Sequence, residues 1–203
     1  MDLAFFITAF ITLFVVIDPV GLAPIFVALT AGETGRRRRA IALRACGIAA
    51  AILVMFAVFG EAVLDVIGVS LPAFRIAGGI LLFITALDML FERRTKRRED
   101  KLEEDRPDPS VFPLAIPLIA GPGAIATVIL LTSGGDWQVL IGVQLVMVAV
   151  IAVVLLFFFA APLLERALGR TGIDVVTRLL GMLLAALSVQ FVLDGIGAFP
   201  FAN

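Results

Sequence analysis

Six apolar stretches separated by polar connections divide the chain: Leu3–Thr30, Ala40–Gly60, Leu71–Phe91, Val111–Thr132, Gln138–Ala161 and Val175–Gly197. About 20 helical residues cross roughly 30 Å of hydrocarbon, so the pattern predicts six transmembrane helices. Ser70, Ser110 and Thr171 stand where caps or pre-caps of the third, fourth and sixth spans would fall. The first stretch is too long for one upright helix, and it contains a helix-breaking run, Asp18-Pro19-Val20-Gly21-Leu22-Ala23-Pro24. A second run, Pro117-Leu118-Ile119-Ala120-Gly121-Pro122-Gly123, interrupts the fourth stretch. Lipid cannot satisfy the backbone groups that such breaks release, so broken helices survive at membrane depth only inside protein or beside a watery cavity. The pattern therefore predicts broken first and fourth helices, with a new half-helix beginning near Pro24.

Composition narrows the class. Of 203 residues, 61% are hydrophobic and only 16% charged, with mean hydropathy +1.11. Soluble domains carry about a quarter charged residues and under half apolar, so this is a polytopic membrane protein with essentially no soluble domain. Cys46 is the only cysteine and histidine is absent. That leaves no intramolecular disulfide and argues against zinc, haem and Cys–His nucleophile chemistry. There is no glycine-rich phosphate loop ending in Lys-Ser/Thr, no readable carboxylate pair and no nucleophile–base set. The expectation is a non-enzyme without metal or bound cofactor. The chain opens Met1-Asp2-Leu3 with no basic region ahead of the apolar run, so the first stretch reads as a retained span rather than a leader.

Charge placement sets the topology. The first connection carries Arg36, Arg37, Arg38 and Arg39, with Arg44 just beyond; the third carries Arg93, Arg94, Lys96, Arg97, Arg98, Lys101 and Arg106; the fifth carries Arg166 and Arg170. The second holds Glu61 and Asp65 and the fourth Asp136. Basic loops stay in the cytoplasm, which places both termini on the periplasmic side. The organisation reads as a first three-helix repeat over residues 1–91, a cytoplasmic linker over 92–110, and a second repeat over 111–203. Basic and acidic residues alternate in the linker, which argues for a solvated hinge and against nucleic-acid binding. The Arg36–Arg39 run reads as a topology determinant near anionic lipid.

Local matches relate the halves. Leu29-Thr30-Ala31-Gly32 matches Leu131-Thr132-Ser133-Gly134, Gly21 falls on Gly123 at the same offset, and Arg75-Ile76-Ala77-Gly78 matches Arg178-Leu179-Leu180-Gly181. Three spans per half is an odd number, so the second half must insert upside down. The expected fold is all-α, two inverted three-helix repeats, an architecture associated with alternating access.

Asp18-Pro19-Val20-Gly21-Leu22-Ala23-Pro24-Ile25-Phe26, the stretch Ile116 to Ile125, and Ile76-Ala77-Gly78-Gly79-Ile80-Leu81-Leu82 resemble the MarC family. The resemblance covers almost the whole chain. It implies a six-span bacterial inner-membrane protein that transports small neutral amino acids such as glycine and alanine.

The breaks themselves suggest chemistry. Pro19 has no amide hydrogen and Pro24 cannot bond back to its i−4 carbonyl, so carbonyls are exposed beside the Asp18 carboxylate. Free amides at a half-helix start attract anions, and the second break offers them around Gly123. Two breaks could grip a zwitterion, its carboxylate on amides and its ammonium on Asp18 and carbonyls. Gly21, Gly121 and Gly123 allow close backbone approach, favouring a small substrate. Candidate substrate-binding residues are Asp18, Pro19, Gly21, Pro24, Gly121, Pro122, Gly123 and Thr127. The competing reading of Asp18 is a helix cap before Pro19 at N1, and of the Pro and Gly residues, kinks and tight packing. Arg75 and Arg178 lie about one turn inside their spans; they either snorkel or form a gate pair that exchanges partners such as Asp88, Asp194 or Glu165. Proton and sodium both stay open as coupling ions, the partners are the bilayer and a small zwitterion, and so small a bundle suggests a homo-oligomer. A small-solute channel and a non-transporting structural or regulatory membrane protein are the alternatives.

Overall fold

The computed structural model describes residues 3–91 and 108–199. The basic cluster of the third connection, Arg93 to Arg106, lies outside the described residues, as do the chain ends. Among the described residues every regular element is helical: α1 (Leu3–Ile17), α2 (Pro19–Leu29), α3 (Gly35–Ile67), α4 (Leu71–Leu90), an irregular π-type segment (Ser110–Ile119), α5 (Pro122–Thr132), α6 (Trp137–Leu164) and α7 (Thr171–Gly197). Among the described residues five helices are long and apolar enough to cross a membrane, α1 and α2 counting together as Leu3–Leu29; the bent pair Ser110–Ile119 plus Pro122–Thr132 makes six if taken as one span.

Several boundaries differ from those read in the sequence. The half-helix after the first break starts at Pro19, not Pro24. Asp18 takes the left-handed conformation (φ 58°, ψ 66°), which turns the chain at one residue, and the helix resumes at once with proline at N1. Pro24 sits inside α2, where its missing N–H leaves the Val20 carbonyl without an i+4 donor. The second break is wider than residues 117–123. Phe112 and Ile116, each preceding a cis proline, have extended backbone (φ −128° and −126°), so residues 110–119 form no regular α-helix. Residues before proline are pushed out of the helical region. Ser110 does not cap this segment; it is buried, and its amide donates to Asp108 Oδ1 at 3.0 Å. Glu61 and Asp65 lie in the last turns of α3 rather than in a connection, and Arg36–Arg39 lie in its first turns. The expected connection between the last two spans is a single helix break at Gly169 (φ 64°), so Thr171 begins α7 rather than capping it. Ser70 is a cap as expected, its hydroxyl accepting from Ala73 N at 3.4 Å.

The two short half-helices occupy the centre. α2 and α5 are apolar around their whole circumference, and a helix of that kind belongs in an interior. Six residues of α2 and seven of α5 are buried. Phe26 of α2 stacks on Phe158 of α6 at 4.3 Å with rings 7° from parallel. At the periphery, α6 and α7 turn Leu145, Leu156, Leu163 and Leu179 outward, the pattern of a lipid-facing surface.

α3 is tied to the second broken span at three levels. Near its start Arg44 pairs with Asp108 at 2.6 Å; further on, Gly60 receives the Ile129 side chain directly. At the far end the Thr132 hydroxyl donates to the Ala57 carbonyl at 3.1 Å and the Gly134 amide to Glu61 Oε2 at 3.3 Å. α4 and α7 lie antiparallel. Gly195 meets Ile76 and the Pro72 carbonyl, Gly79 meets Ser188 and Val192, and Gly181 meets Ala86 and Met89. Small residues let two backbones approach this closely.

Candidate functional site

Both breaks fall near the middle of their apolar stretches along the chain. The residue midway along Leu3–Leu29 is Val16, and Asp18 lies two residues, or about 3 Å, further on. The residue midway between Ser110 and Thr132 is Gly121, the residue preceding α5. The half-helices flanking the second break meet at 54°.

Asp18 is 0% exposed, the only charged side chain buried among the described residues. Its Oδ1 accepts the Gly21 amide at 3.0 Å, capping the first turn of α2. Aspartate is one of the few residues that tolerate the left-handed conformation, and here that conformation folds the carboxylate back over Gly21. A Cβ at Gly21 would collide with Asp18 Oδ2. The glycine therefore accommodates this chain's own carboxylate. Pro19 and Pro24 leave the Val15 and Val20 carbonyls without an amide donor four residues on.

At the second break Gly121 is extended (φ −84°, ψ 168°), and a Cβ there would lie 2.6 Å from the Pro117 carbonyl. Only glycine fits this close chain reversal. Pro122 occupies N1 of α5, so its missing donor costs nothing at that position. The Gly123 and Ala124 amides have no acceptor within their own helix, as at any helix start. Thr127 is buried one turn on, its hydroxyl donating to the Gly123 carbonyl at 2.8 Å.

The two breaks adjoin. A Cβ built on Gly123 would lie 3.3 Å from Val16 Cγ1, 3.0 Å from Leu82 Cδ2 and 3.9 Å from Thr85 Oγ1. Gly123 of α5 thus faces the last turn of α1, two residues before Asp18, with α4 closing the third side. Val16 and Leu82 carried no signal in the sequence because they are ordinary apolar residues of long apolar runs. Thr85 was legible only as a polar residue within a span; its hydroxyl donates to the Leu81 carbonyl at 2.9 Å.

Arg75 and Arg178 stand apart from this centre, near opposite ends of the α4–α7 pair. Arg178 is exposed and Arg75 partly buried. Asp194 Oδ1 accepts from Gln190 Nε2 at 2.6 Å. The side chain of Glu165 lies outside the described residues. No group of three His, Cys, Asp or Glu side chains converges among the described residues.

Outside the membrane-spanning segments, Asp108 is held below the usual aspartate range. The Ser110 hydroxyl and amide stabilise its carboxylate, with the Arg44 and Arg37 cations adding to them.

These features define a multi-pass helical membrane protein in which two interrupted helical stretches approach each other, one of them carrying a buried aspartate. The chain belongs to the MarC family: the sequence pattern described as MarC family integral membrane protein matches residues 3–199. It is 43% identical to a UPF0056 membrane protein of Archaeoglobus fulgidus over 201 residues, 96% of this chain and 93% of that one. It is 39% identical to the UPF0056 membrane protein YvbG of Bacillus subtilis, covering 98% of both, and 37% identical to YhcE of Escherichia coli, covering 98% and 95%. Such relatives thus occur in archaea as well as bacteria. No solved structure matches the chain.

Proposed function

We propose that this chain is a secondary transporter of small neutral amino acids such as glycine and alanine, working by alternating access as two inverted three-helix repeats with six spans. In this reading it sits in a bacterial inner membrane with both termini periplasmic. The observation that carries the reading is the buried Asp18 side chain in a helix break, with the start of α5 packed against Val16 two residues before it. The substrate ammonium lies on Asp18 and the freed carbonyls, and the carboxylate on the Gly123 and Ala124 amides at the positive end of α5. A carboxyl group buried within a membrane span is costly to keep and marks a functional site by default.

Corresponding details support the repeat. α2 and α5 each have 11 residues and begin with proline. Each ends at a threonine whose hydroxyl bonds back to the i−4 carbonyl, Thr30 to Phe26 at 2.7 Å and Thr132 to Val128 at 2.9 Å. Each is followed by a left-handed glycine, Gly32 (φ 78°) and Gly134 (φ 68°). The antiparallel α4 and α7 are what the third helices of opposed repeats would give.

The α4–α7 register supports one choice of partners for the gate arginines. Gly195, next to Asp194, meets the residues flanking Arg75. Gly181, one turn from Arg178, meets the residues on either side of Asp88. Neither Asp88 nor Arg178 lacks a partner. Arg75 with Asp194, and Asp88 with Arg178, make one charge couple at each end, and rocking loosens them alternately.

The test is uptake and counterflow of radiolabelled glycine and alanine in proteoliposomes, under proton and sodium gradients, for wild type and Asp18→Asn. Saturable counterflow that collapses in the variant is expected. Non-saturating flux without counterflow would make the protein a channel, and no flux by folded wild type under any gradient would refute transport.

A further inference from the structure

α3 is longer than the membrane needs. Its 33 residues extend about 50 Å against roughly 30 Å of hydrocarbon, so its ends reach the headgroup layers. Four arginines stand in its first two turns. Two are engaged: Arg37 pairs with Glu33 at 3.1 Å, and Arg38 donates to the Thr30 carbonyl at 3.3 Å. Further along, Arg44 is spent on Asp108. Arg36 and Arg39 are exposed, and no acid among the described residues pairs with either.

These two lie three residues apart, on one face of the helix. The same face continues through Leu43, Gly47, Ala51, Met55 and Val58 at spacings of three and four, all exposed and all apolar. Leu43, Met55 and Val58 are 56%, 47% and 43% exposed. Two cations with no acid paired to them among the described residues thus sit at the head of a stripe that accepts hydrocarbon. One molecule satisfies both parts: a phosphate takes the guanidinium pair, which binds phosphate through paired N–H donors, and an acyl chain lies along the stripe.

We propose that Arg36 and Arg39, with the apolar stripe below them, form a binding site for an anionic phospholipid. The inference is independent of what the central site carries. Phosphatidylglycerol fits because its headgroup adds no cation to compete with the two arginines, whereas the choline of phosphatidylcholine does.

The experiment is native mass spectrometry of the full-length protein released from neutral detergent, with phosphatidylglycerol or phosphatidylcholine of identical acyl chains. Wild type is compared with the Arg36→Gln/Arg39→Gln double variant and with Arg36→Lys/Arg39→Lys, which keeps the charge. Each basic residue near an anionic surface contributes about 1 kcal/mol, so loss of two should weaken phosphatidylglycerol retention on the order of 30-fold. The lysine variant should retain most of the binding, and retention should fall with added salt. Equal retention of the two lipids by wild type would overturn the proposal, and so would a glutamine variant that binds phosphatidylglycerol undiminished. A separate arm adds inorganic phosphate to lipid-free protein. If phosphate alone raises the melting temperature as much as phosphatidylglycerol does, the site is for a free anion and the lipid assignment fails. If the glutamine variant does not fold, the wild-type preference between the lipids still decides.

Discussion

Adjacent glycines on α4 should respond oppositely to the same substitution. Gly79 faces α7, where an alanine Cβ would lie 2.8 Å from the Ser188 carbonyl, 3.1 Å from the Val192 amide nitrogen and 2.7 Å from Val192 Cγ2. Two of these neighbours are backbone and cannot rotate away, so α4 and α7 must separate by about half an ångström along a tightly packed crossing. Overpacking of this kind costs about 1–3 kcal/mol. Alanine returns about 1 kcal/mol of helix propensity over glycine, leaving Gly79→Ala destabilising by about 0–2 kcal/mol. At Gly78 the nearest atoms are Leu130 Cδ1 at 3.3 Å and Ala126 Cβ at 3.4 Å, and a leucine methyl can give by a few tenths of an ångström. The propensity gain then dominates, and Gly78→Ala is stabilising by about 1 kcal/mol. The two variants should therefore differ by about 1–3 kcal/mol. The assay is reversible unfolding in mixed micelles, or thermal unfolding in one detergent under matched conditions. Equal effects at both positions, or a larger loss at Gly78, would refute the register assigned to α4 and α7, and with it the partners assigned to the gate arginines.

Gly21→Ala should be worse than either, because its Cβ meets the Asp18 carboxylate and displaces the charge-assisted bond to the position 21 amide, for a loss of about 2–4 kcal/mol; thermal unfolding of the variant within about 1 kcal/mol of wild type would contradict the left-handed Asp18 cap. Asp108 should titrate below 3.8 by carbon-13 NMR of its carboxyl, and Arg44→Gln should move the titration upward. Its depressed folded-state value means the Arg44–Asp108 tie contributes at pH above the unfolded aspartate range and is lost as pH falls through the folded value; an unshifted Asp108 in wild type would contradict the pair. Arg75→Asp should impair counterflow and Asp194→Arg in the same chain should restore it at least partly; an unchanged double variant would remove this couple from the gate.

Much of the fold was legible because membrane physics is severe. The all-helical membrane-spanning architecture, the Ser70 cap and the existence of both breaks were readable from apolar runs, capping residues and helix breakers. The position of the first restart was not legible. Pro19 and Pro24 look alike in sequence, and only the left-handed Asp18 decides that the helix resumes at Pro19. The second break was read too narrowly because Ser110 to Ile119 is as apolar as any helix, while the extended Phe112 and Ile116 reflect constraints from the prolines that follow them. Charge alone made Glu61 and Asp65 look like loop residues, but backbone hydrogen bonding carries α3 past the edge of its apolar run. Of the candidate site, Asp18, Gly121 and Gly123 could be found from the broken helices. The packing of Gly123 against Val16, Leu82 and Thr85 required the tertiary arrangement of α1, α4 and α5, which no local pattern encodes. The same holds for Asp108, which the sequence placed in a hinge and the fold uses to hold α3 against the second broken span.

The most direct test of the central site is a distance between substrate and Asp18. Solid-state NMR on protein in lipid, with nitrogen-15 glycine and carbon-13 aspartate, reads the coupling between the ammonium nitrogen and the Asp18 carboxyl carbon; Asp18→Asn identifies the signal by its loss. A direct charge-assisted bond puts nitrogen and oxygen at about 2.8 Å, so a coupling corresponding to about 3–4 Å between nitrogen and carboxyl carbon is expected at saturating glycine. Saturable glycine binding with no coupling to Asp18 would show that the substrate sits elsewhere and reduce the carboxylate to the cap of α2.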